Sequence, residues 1–201
     1  MSGNDIVAME YEAQVMLSEK EYELVMNAHK KEDYKPEDYL VLINTNMYFD
    51  TPDKYLINHQ MVLRMRLVDN GYQVVTLKVE LPEGVKEINY KIEKRLDGFI
   101  HFDFEKDFPL IDEALKEKGV DSSKIRYITT LICHRVNIKK EKYELFIDKN
   151  EYGNIVDYNL EVEAKDRELA HHYLKEEMDR FSIKEKGKYI VKSKRAVLAI
   201  K

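Results

Sequence analysis

The sequence predicts an α+β fold, in which an antiparallel eight-stranded sheet closes into a barrel with a polar lumen and is covered by a few helices. Two observations support this prediction. About eight strand-like segments follow one another along the 201 residues, with three helical patterns between them. Several of these strands carry like charges at every second position, which places the charges together on one face. A sheet that closes around that face encloses the charges and leaves its apolar face for helices to cover.

The clearest strand signal lies between Met61 and Glu80, where two alternating runs are joined by Asp-Asn-Gly at residues 69–71. This pattern is typical of a β-hairpin with a short turn. Alternation places Arg64 and Arg66 on the same face of the first run, and Lys78 on the face opposite to the apolar residues of the second. Three cations can therefore share one surface of the hairpin.

Two other strands carry pairs of acidic residues at the same spacing. Glu10 and Glu12 lie in a mostly apolar run near the N-terminus, and Glu161 and Glu163 alternate with apolar residues late in the chain. Like charges at this spacing repel each other, so the presence of both acidic and basic pairs indicates a ligand that needs both signs. A metal-bound polyphosphate fits, because carboxylates bind the metal while arginine and lysine bind phosphate oxygens.

The remaining strands are predicted from alternation and from their content of β-branched and aromatic residues. Thr51-Pro52-Asp53 ends the second strand, since proline cannot donate to the ladder, and Asp148 is expected to close the seventh. The segment from Tyr189 to Ala199, which holds the basic pair Lys192 and Lys194, fits either a strand or a short helix. Outside the hairpin the predicted strands are Ile6 to Leu17, Leu40 to Asp50, Lys86 to Leu96, Arg126 to Ile138, Lys142 to Lys149 and Ile155 to Ala164.

Three helices have recognisable starts or ends. Ser18 to Glu21 forms a capping box, which predicts a helix that runs to about Lys30. The segment from Asp107 to Lys118 has a proline near its start and Gly119 after its end, as helices commonly do. Asp166 is placed to cap a third helix, which has one apolar face. These amphipathic helices are suited to cover the outer face of the barrel.

Composition limits the classes of function. The length predicts a single domain over residues 1–201, with enough chain for a sizeable core. A net charge of −5 argues against a general nucleic-acid binder, and one cysteine, Cys133, excludes an internal disulfide. The sequence has no pattern of a signal peptide and no long apolar run, so we expect a cytoplasmic protein without a membrane partner. We expect it to be a monomer or a homodimer.

Taken in order, these residues resemble the CYTH family, also called triphosphate tunnel metalloenzymes, over nearly the whole chain and especially its small bacterial branch. Glu10-Tyr11-Glu12-Ala13-Gln14 is similar to the Glu-x-Glu-x-Lys first strand of the family, except that Gln14 replaces the lysine. The segment from Asn46 to Pro52 resembles the family's asparagine, aromatic pair and Asp-Thr-Pro. The later matches, which follow in the family order, are Leu63-Arg64-Met65-Arg66, Thr76-Leu77-Lys78, Glu87, Arg135, Asp148, Glu161, Glu163 and Lys192-Ser193-Lys194.

The resemblance implies an eight-stranded tunnel that binds a triphosphate together with Mg²⁺ or Mn²⁺. It implies metal-binding roles for Glu10, Glu12, Glu161, Glu163, Glu87 and Asp148. It implies that phosphate oxygens are bound by Arg64, Arg66, Lys78, Arg135, Lys192 and Lys194. The residues expected to be catalytic are Glu10, Glu12, Arg64, Arg66, Lys78 and Arg135.

The expected function is a metal-dependent triphosphatase that acts on a small-molecule triphosphate, with inorganic tripolyphosphate as the leading substrate. Such catalysis rests on positioning and charge neutralisation, which a lumen with both signs of charge can supply. A class IV-type adenylate cyclase and a non-catalytic module that binds polyphosphate or nucleotide remain alternatives. Gln14 bears on this choice, since the loss of a lysine is expected to make triphosphate handling less efficient or to change its selectivity.

Overall fold

The computed structural model describes residues 6–68, 73–92 and 102–200. Eight strands lie within these residues. They are β1 (Ile6–Leu17), β2 (Tyr39–Asp50), β3 (Met61–Val68), β4 (Gln73–Glu80), β5 (Val85–Ile92), β6 (Arg126–Lys139), β7 (Tyr143–Tyr152) and β8 (Ile155–Ala164).

The strands form one closed antiparallel barrel. Their order around the barrel is β1-β5-β4-β3-β2-β6-β7-β8. The long β1 closes the sheet, because its first half pairs with β5 and its second half pairs with β8. The predicted fold class is therefore confirmed.

Most strand bounds agree with the alternation in the sequence, and β1 and β8 have the predicted ends. The predicted end of β7 at Asp148 is wrong, because the strand continues to Tyr152. Asn150 and Tyr152 continue the ladder opposite Asp157 and Ile155, and the chain turns only at Gly153, where φ is +57°. Asp148 therefore lies in the middle of a strand. The predicted hairpin turn at residues 69–71, and the last residues of the strand predicted up to Leu96, lie outside the described residues.

The three predicted helices are present, and the last of them begins at the predicted cap. Ser18 and Glu21 form the predicted capping box, and Asp166 accepts a hydrogen bond from the backbone N–H of Leu169. The C-terminal segment, for which the sequence allowed a strand or a helix, is a short helix. The helices in the described residues are α1 (Glu19–His29), α2 (Tyr55–Asn58), α3 (Phe104–Asp107), α4 (Pro109–Glu117), α5 (Arg167–Arg180) and α6 (Lys192–Leu198).

Helices cover the apolar outer face of the barrel on two sides. The outer faces of β3, β4 and β5 form one buried core with α2, α3 and α4, in which Leu63, Leu77 and Ile111 are almost fully buried. The outer faces of β1, β6, β7 and β8 form a second core with α1 and α5, around residues such as Leu160. On these two sides the helices cover the apolar side chains of the outer face, and the opposite face of each strand is left for the lumen.

The C-terminal helix α6 covers one end of the lumen. Ala196 of α6 is buried against Tyr48, Leu131 and Tyr152, which alternate with the outer-face residues of β2, β6 and β7. This apolar contact holds α6 across the barrel end. The side chains on the same face of α6 can therefore reach into the lumen.

Candidate functional site in the barrel lumen

Alternation along the strands brings most of the predicted charged side chains into one lumen. On β1, Ala13 and Val15 are buried in the outer core, so Glu12 and Gln14 point to the interior. The same reasoning on the other strands, together with the contacts of α6, places eleven of the twelve predicted site residues in the lumen, while their roles stay predictions. These eleven are Glu10, Glu12, Arg64, Arg66, Lys78, Glu87, Arg135, Asp148, Glu161, Glu163 and Lys192.

Four of these residues, Arg135, Asp148, Glu161 and Lys192, neutralise one another, and we call them the paired cluster. Arg135 donates from Nε and Nη2 to the two oxygens of Asp148, at 2.8 Å each. Nη2 of Arg135 also lies 3.2 Å from Glu161. Lys192 places its Nζ 2.5 Å from Asp148 Oδ2 and 2.6 Å from Glu161 Oε2. Two cations and two carboxylates therefore form one buried network.

The paired cluster stays fully charged at neutral pH. Burial by itself raises a carboxyl pKa, but the charges of Arg135 and Lys192 outweigh it and lower the pKa of Glu161 to about 2. The same two cations outweigh burial at Asp148 and hold its pKa well below the ordinary range. In turn, Asp148 and Glu161 raise the pKa of Lys192 in spite of its burial. The four charges sum to zero.

Lys78 joins β4 to β1 and β5. Its Nζ donates to Glu10 Oε2 at 2.8 Å and also contacts Glu87. Asn89 donates to Glu87 at 3.0 Å, and Thr76 donates to Asn89 at 2.7 Å, which fixes the orientation of the Glu87 carboxylate. Burial opposes ionisation of Glu87, but Lys78 outweighs it, and the pKa of Glu87 is lowered to about 2.

A second group of carboxylates, Glu10, Glu12 and Glu163, has too few cations, and we call it the acidic cluster. Glu12 and Glu163 are direct partners across β1 and β8, and Glu10 lies two residues from Glu12 on the same face. Within the described ranges, neither Glu12 nor Glu163 forms a hydrogen bond or an ion pair. Lys78 is the cation nearest to this cluster, and Glu87 competes for it.

Burial and mutual repulsion weaken ionisation throughout the acidic cluster. Burial, followed by the charges of Glu10 and Glu161, raises the pKa of Glu163 to about 7. Burial raises the pKa of Glu10 to about 6 against the opposing charge of Lys78, and burial also raises the pKa of Glu12. A bound cation would remove this penalty, because it would neutralise the repulsion between the carboxylates.

Arg64 and Arg66 form a region of the opposite sign, which we call the arginine pair. Arg66 donates from Nε to Asn46 Oδ1 at 2.9 Å, whereas Arg64 Nε is buried and has no hydrogen-bond partner. Neither arginine is in an ion pair with a carboxylate in the described part of the chain. Burial, together with the charges of Arg64 and Arg135, lowers the pKa of Arg66 to about 10. Arg66 is therefore charged at neutral pH, and the pair is suited to receive an anion.

Lys194 is the predicted site residue that lies outside the lumen. Lys192 and Lys194 would share a face only in a strand, and this segment, for which the sequence allowed either state, is helical. In a helix, residues two apart diverge by about 200°, while residues three apart lie on similar faces. Lys192 and Arg195 thus point to the barrel together, and Lys194 is exposed. Arg195 donates hydrogen bonds to both oxygens of Asp157, at 2.7 and 2.9 Å.

Several polar residues that support the lumen charges were not among the predicted site residues. Asn46 was noted only as part of a motif, yet it orients Arg66. Asp157 binds Arg195 and continues the alternation of Asn159, Glu161 and Glu163 along β8, a signal that the sequence did contain. Glu144 was not predicted as a site residue either. It lies directly opposite Glu163 on β7, and both side chains line an open depression of about 250 Å³ at the barrel end.

The lumen carboxylates differ in their fitness to hold a divalent cation. Among the described residues, no three His, Cys, Asp or Glu side chains are arranged as a metal site, so binding requires side chains to turn toward a common point. The acidic cluster fits in chemistry and charge, because Mg²⁺ and Mn²⁺ prefer oxygen ligands and its carboxylates repel one another. Asp148 and Glu161 already have cation partners in Arg135 and Lys192. Glu10, Glu12 and Glu163 are therefore the residues that can best hold a metal ion.

Comparisons with known proteins agree with this geometry. The family model described as "CYTH domain" matches residues 8–192. The chain belongs to the CYTH domain family. It is also 28% identical over 177 residues to "Putative triphosphatase YjbK" from Bacillus subtilis, a match that covers 87% of each protein.

Solved structures share the fold of this CYTH chain. A "putative adenylate cyclase" from Bacillus halodurans superimposes with a TM-score of 0.77 at 24% identity, covering 94% of this chain and 97% of that one. HpAC1 from Hippeastrum, a "putative adenylyl cyclase" described as having a dominant triphosphatase activity, has a TM-score of 0.70 at 22% identity, with coverages of 92% and 94%. Within the described residues, no helix has the length and apolar character needed to span a membrane.

Proposed function

We propose that this protein is a divalent-metal-dependent triphosphatase, which hydrolyses the terminal phosphate of inorganic tripolyphosphate or a related triphosphate. One observation carries the proposal. The same lumen holds an acidic cluster with too few cations and an arginine pair without a carboxylate partner in the described residues. A polyphosphate that arrives with a divalent cation would satisfy both groups at once.

The arginine pair is proposed to bind phosphate oxygens. Arg66 has its Nε held by Asn46, which leaves the two terminal nitrogens of its guanidinium to donate to a ligand. Arg64 adds a second guanidinium two residues away on the same face of β3. Lys78 and Arg135 add positive charge from two further strands, although carboxylates partly neutralise both. Buried cations of this kind stabilise the charge that develops on the transferred phosphoryl group.

The acidic cluster is proposed to hold the metal through Glu10, Glu12 and Glu163. The bound ion would supply charge neutralisation for the phosphate oxygens and help to orient the triphosphate. The carboxylates must be ionised to bind it. Because the pKa of Glu163 is raised to about 7, metal binding is expected to weaken as the pH falls below neutrality.

Inorganic tripolyphosphate is the proposed first substrate. The two unbalanced groups consist of carboxylates and guanidinium groups, which match the metal ion and the phosphate oxygens of such a substrate. This supports a ligand made only of phosphate groups. The name of YjbK and the activity described for HpAC1 support triphosphate hydrolysis in general.

The test is to measure phosphate release from tripolyphosphate, ATP and thiamine triphosphate with Mg²⁺ or Mn²⁺. We expect release from tripolyphosphate to depend on metal and to be abolished by Glu12→Ala and by Arg66→Ala. Glu176→Gln and Arg167→Met alter exposed charges on α5, outside the lumen, and serve as controls that should keep full activity.

The assay also separates the alternatives. Formation of cyclic AMP from ATP, without release of orthophosphate, would show that the protein is a cyclase and not a triphosphatase. Saturable, metal-dependent binding of tripolyphosphate without turnover would identify a binding module. Release that survives both lumen substitutions would show that the activity does not come from this site.

A further inference from the structure

The Nζ of Lys192 lies between the carboxylates of Asp148 and Glu161, two residues that the family resemblance assigns to metal binding. This nitrogen lies 2.5 Å from Asp148 Oδ2 and 2.6 Å from Glu161 Oε2. Asp148 is fully buried, and the side chains of Glu161 and Lys192 are 7% and 16% exposed. The ammonium is therefore bound between two buried acids that come from neighbouring strands.

The oxygens of these two carboxylates are also engaged by other donors. Arg135 donates to both oxygens of Asp148 and lies 3.2 Å from both oxygens of Glu161. Asn159 donates to Asp148 Oδ2 at 3.3 Å. A divalent ion that entered here would have to displace Lys192, and together with Arg135, Asp148 and Glu161 it would form a group of net charge +1 in place of a neutral one. Both effects are unfavourable in a buried site.

The position of Lys192 is held by a second contact of α6. Arg195, one helical turn further on, binds Asp157 through two hydrogen bonds at 2.7 and 2.9 Å. Arg195 also donates to the backbone oxygen of Ile190 at 2.6 Å, which ties the start of α6 to the same anchor. The helix thus positions the Lys192 ammonium between Asp148 and Glu161 in the lumen.

We infer that Lys192 is a built-in cation that takes the place of a second divalent ion, so that the tunnel binds a single metal ion at Glu10, Glu12 and Glu163. The inference rests on the proposed function, since it concerns the metal that this function requires. It gives Asp148 and Glu161 a structural role as partners of Lys192 and Arg135.

The experiment counts Mn²⁺ ions bound by the whole protein without any triphosphate, by electron paramagnetic resonance of free Mn²⁺ at pH 8. We expect one ion for each chain. Glu163→Gln should weaken its binding at least tenfold, while Glu161→Gln, a matched change two residues away on the same face of β8, should alter it less than about threefold. Lys192→Met should create a second, weaker site, and Lys194→Met, which removes an exposed lysine from the same helix, should not.

Each other result has a separate meaning. Two ions on the unmodified protein, with the first lost in Glu163→Gln, would overturn the inference and leave the proposed triphosphatase intact. No bound ion at all would overturn the metal dependence of the proposed function itself. A folded Lys192→Met protein, verified by circular dichroism, that still binds one ion would refute the role of Lys192. If that variant does not fold, the count on the unmodified protein and the comparison of the two glutamate variants still decide the inference.

Discussion

Glu161 and Glu163 lie two residues apart on the same face of β8, yet they belong to electrostatically different regions of the lumen. Glu161 contacts Arg135 and Lys192, and its pKa is lowered to about 2. Glu163 has no such partner among the described residues, and burial with neighbouring acids raises its pKa to about 7. The ionised form of glutamate is therefore stabilised at one position of this strand and destabilised at the other.

This difference distinguishes charged residues that stabilise the fold from charged residues that lack a partner in the absence of a ligand. In the paired cluster each carboxylate has cation partners within the chain, so its interactions are complete. In the acidic cluster and the arginine pair, partly buried charges of like sign lie next to each other, which costs folding free energy. Groups that carry such a cost are candidates for function, because a ligand can relieve it.

The largest expected effect comes from breaking the paired cluster. Glu161→Gln should lower the free energy of unfolding by about 3 kcal/mol, because it leaves Arg135 and Lys192 with one carboxylate in a buried site. Glu163→Gln, which removes no such pair, should leave the stability of the metal-free protein unchanged or slightly increased. Urea unfolding at pH 8 measures both changes. Equal losses in the two variants would contradict the distinction between the clusters.

The next effect concerns the arginine pair. Arg66→Met should weaken binding of tripolyphosphate by roughly tenfold to a hundredfold, as expected for the loss of charged hydrogen bonds to phosphate. The stability of the Arg66→Met protein should fall less than this loss of affinity, because the substitution also relieves the repulsion of Arg66 by Arg64 and Arg135. Calorimetric titration of the metal-loaded protein, with Arg167→Met as the control, tests this. Unchanged affinity would exclude Arg66 from the phosphate site.

A third effect is a difference in pH dependence between the two clusters. The folded state raises the pKa of Glu163 to about 7 and of Glu10 to about 6, so their contribution to stability is present below about pH 4.5 and is lost as the pH rises through these values. Glu161 and Glu87, with pKa values lowered to about 2, contribute above about pH 4.5 and lose this contribution as the pH falls toward 2.

Because the side chains of Glu10 and Glu163 are partly exposed and solvent screens part of the effect, the metal-free protein should lose roughly 1 to 2 kcal/mol of stability between pH 5 and pH 8. Saturating Mn²⁺ should restore most of this loss at pH 8 and little at pH 5, where protons compete with the metal. Urea unfolding across this range, with and without Mn²⁺, is the measurement. If the free energy of unfolding depends on pH in Glu163→Gln as it does in the unmodified protein, Glu163 is not the source of this dependence.

The smallest expected effect concerns Gln14, which faces Glu161 across β1 and β8. Its Oε1 is buried and has no hydrogen-bond partner. Gln14→Lys should raise the catalytic efficiency of triphosphate hydrolysis severalfold or change the preference among triphosphates, because it adds a cation to the lumen face of β1. Steady-state kinetics with tripolyphosphate and ATP test this. If efficiency and preference both stay the same, the substitution at this position has no functional consequence.

Local patterns in the sequence were sufficient to predict most strand bounds, the helix caps and which charges share a face. Alternation with a period of two is a local property, so it was sufficient to assign Glu10, Glu12, Arg64 and Arg66 to the lumen side. The capping residues Ser18 and Asp166 act within one helical turn, and both perform the predicted role. The family resemblance rested on the order of these local features.

Which charges are neutralised depends on contacts that form only in the folded barrel. Lys192 reaches Glu161 from a helix that begins 31 residues later, and Arg135 reaches it from another strand 26 residues earlier. Neither distance is readable from a strand pattern, and the helical state of the C-terminal segment is what replaced Lys194 by Arg195 at the lumen. Alternation gives the direction of a side chain, whereas the partners that set its charge state come from segments that meet only when the barrel closes.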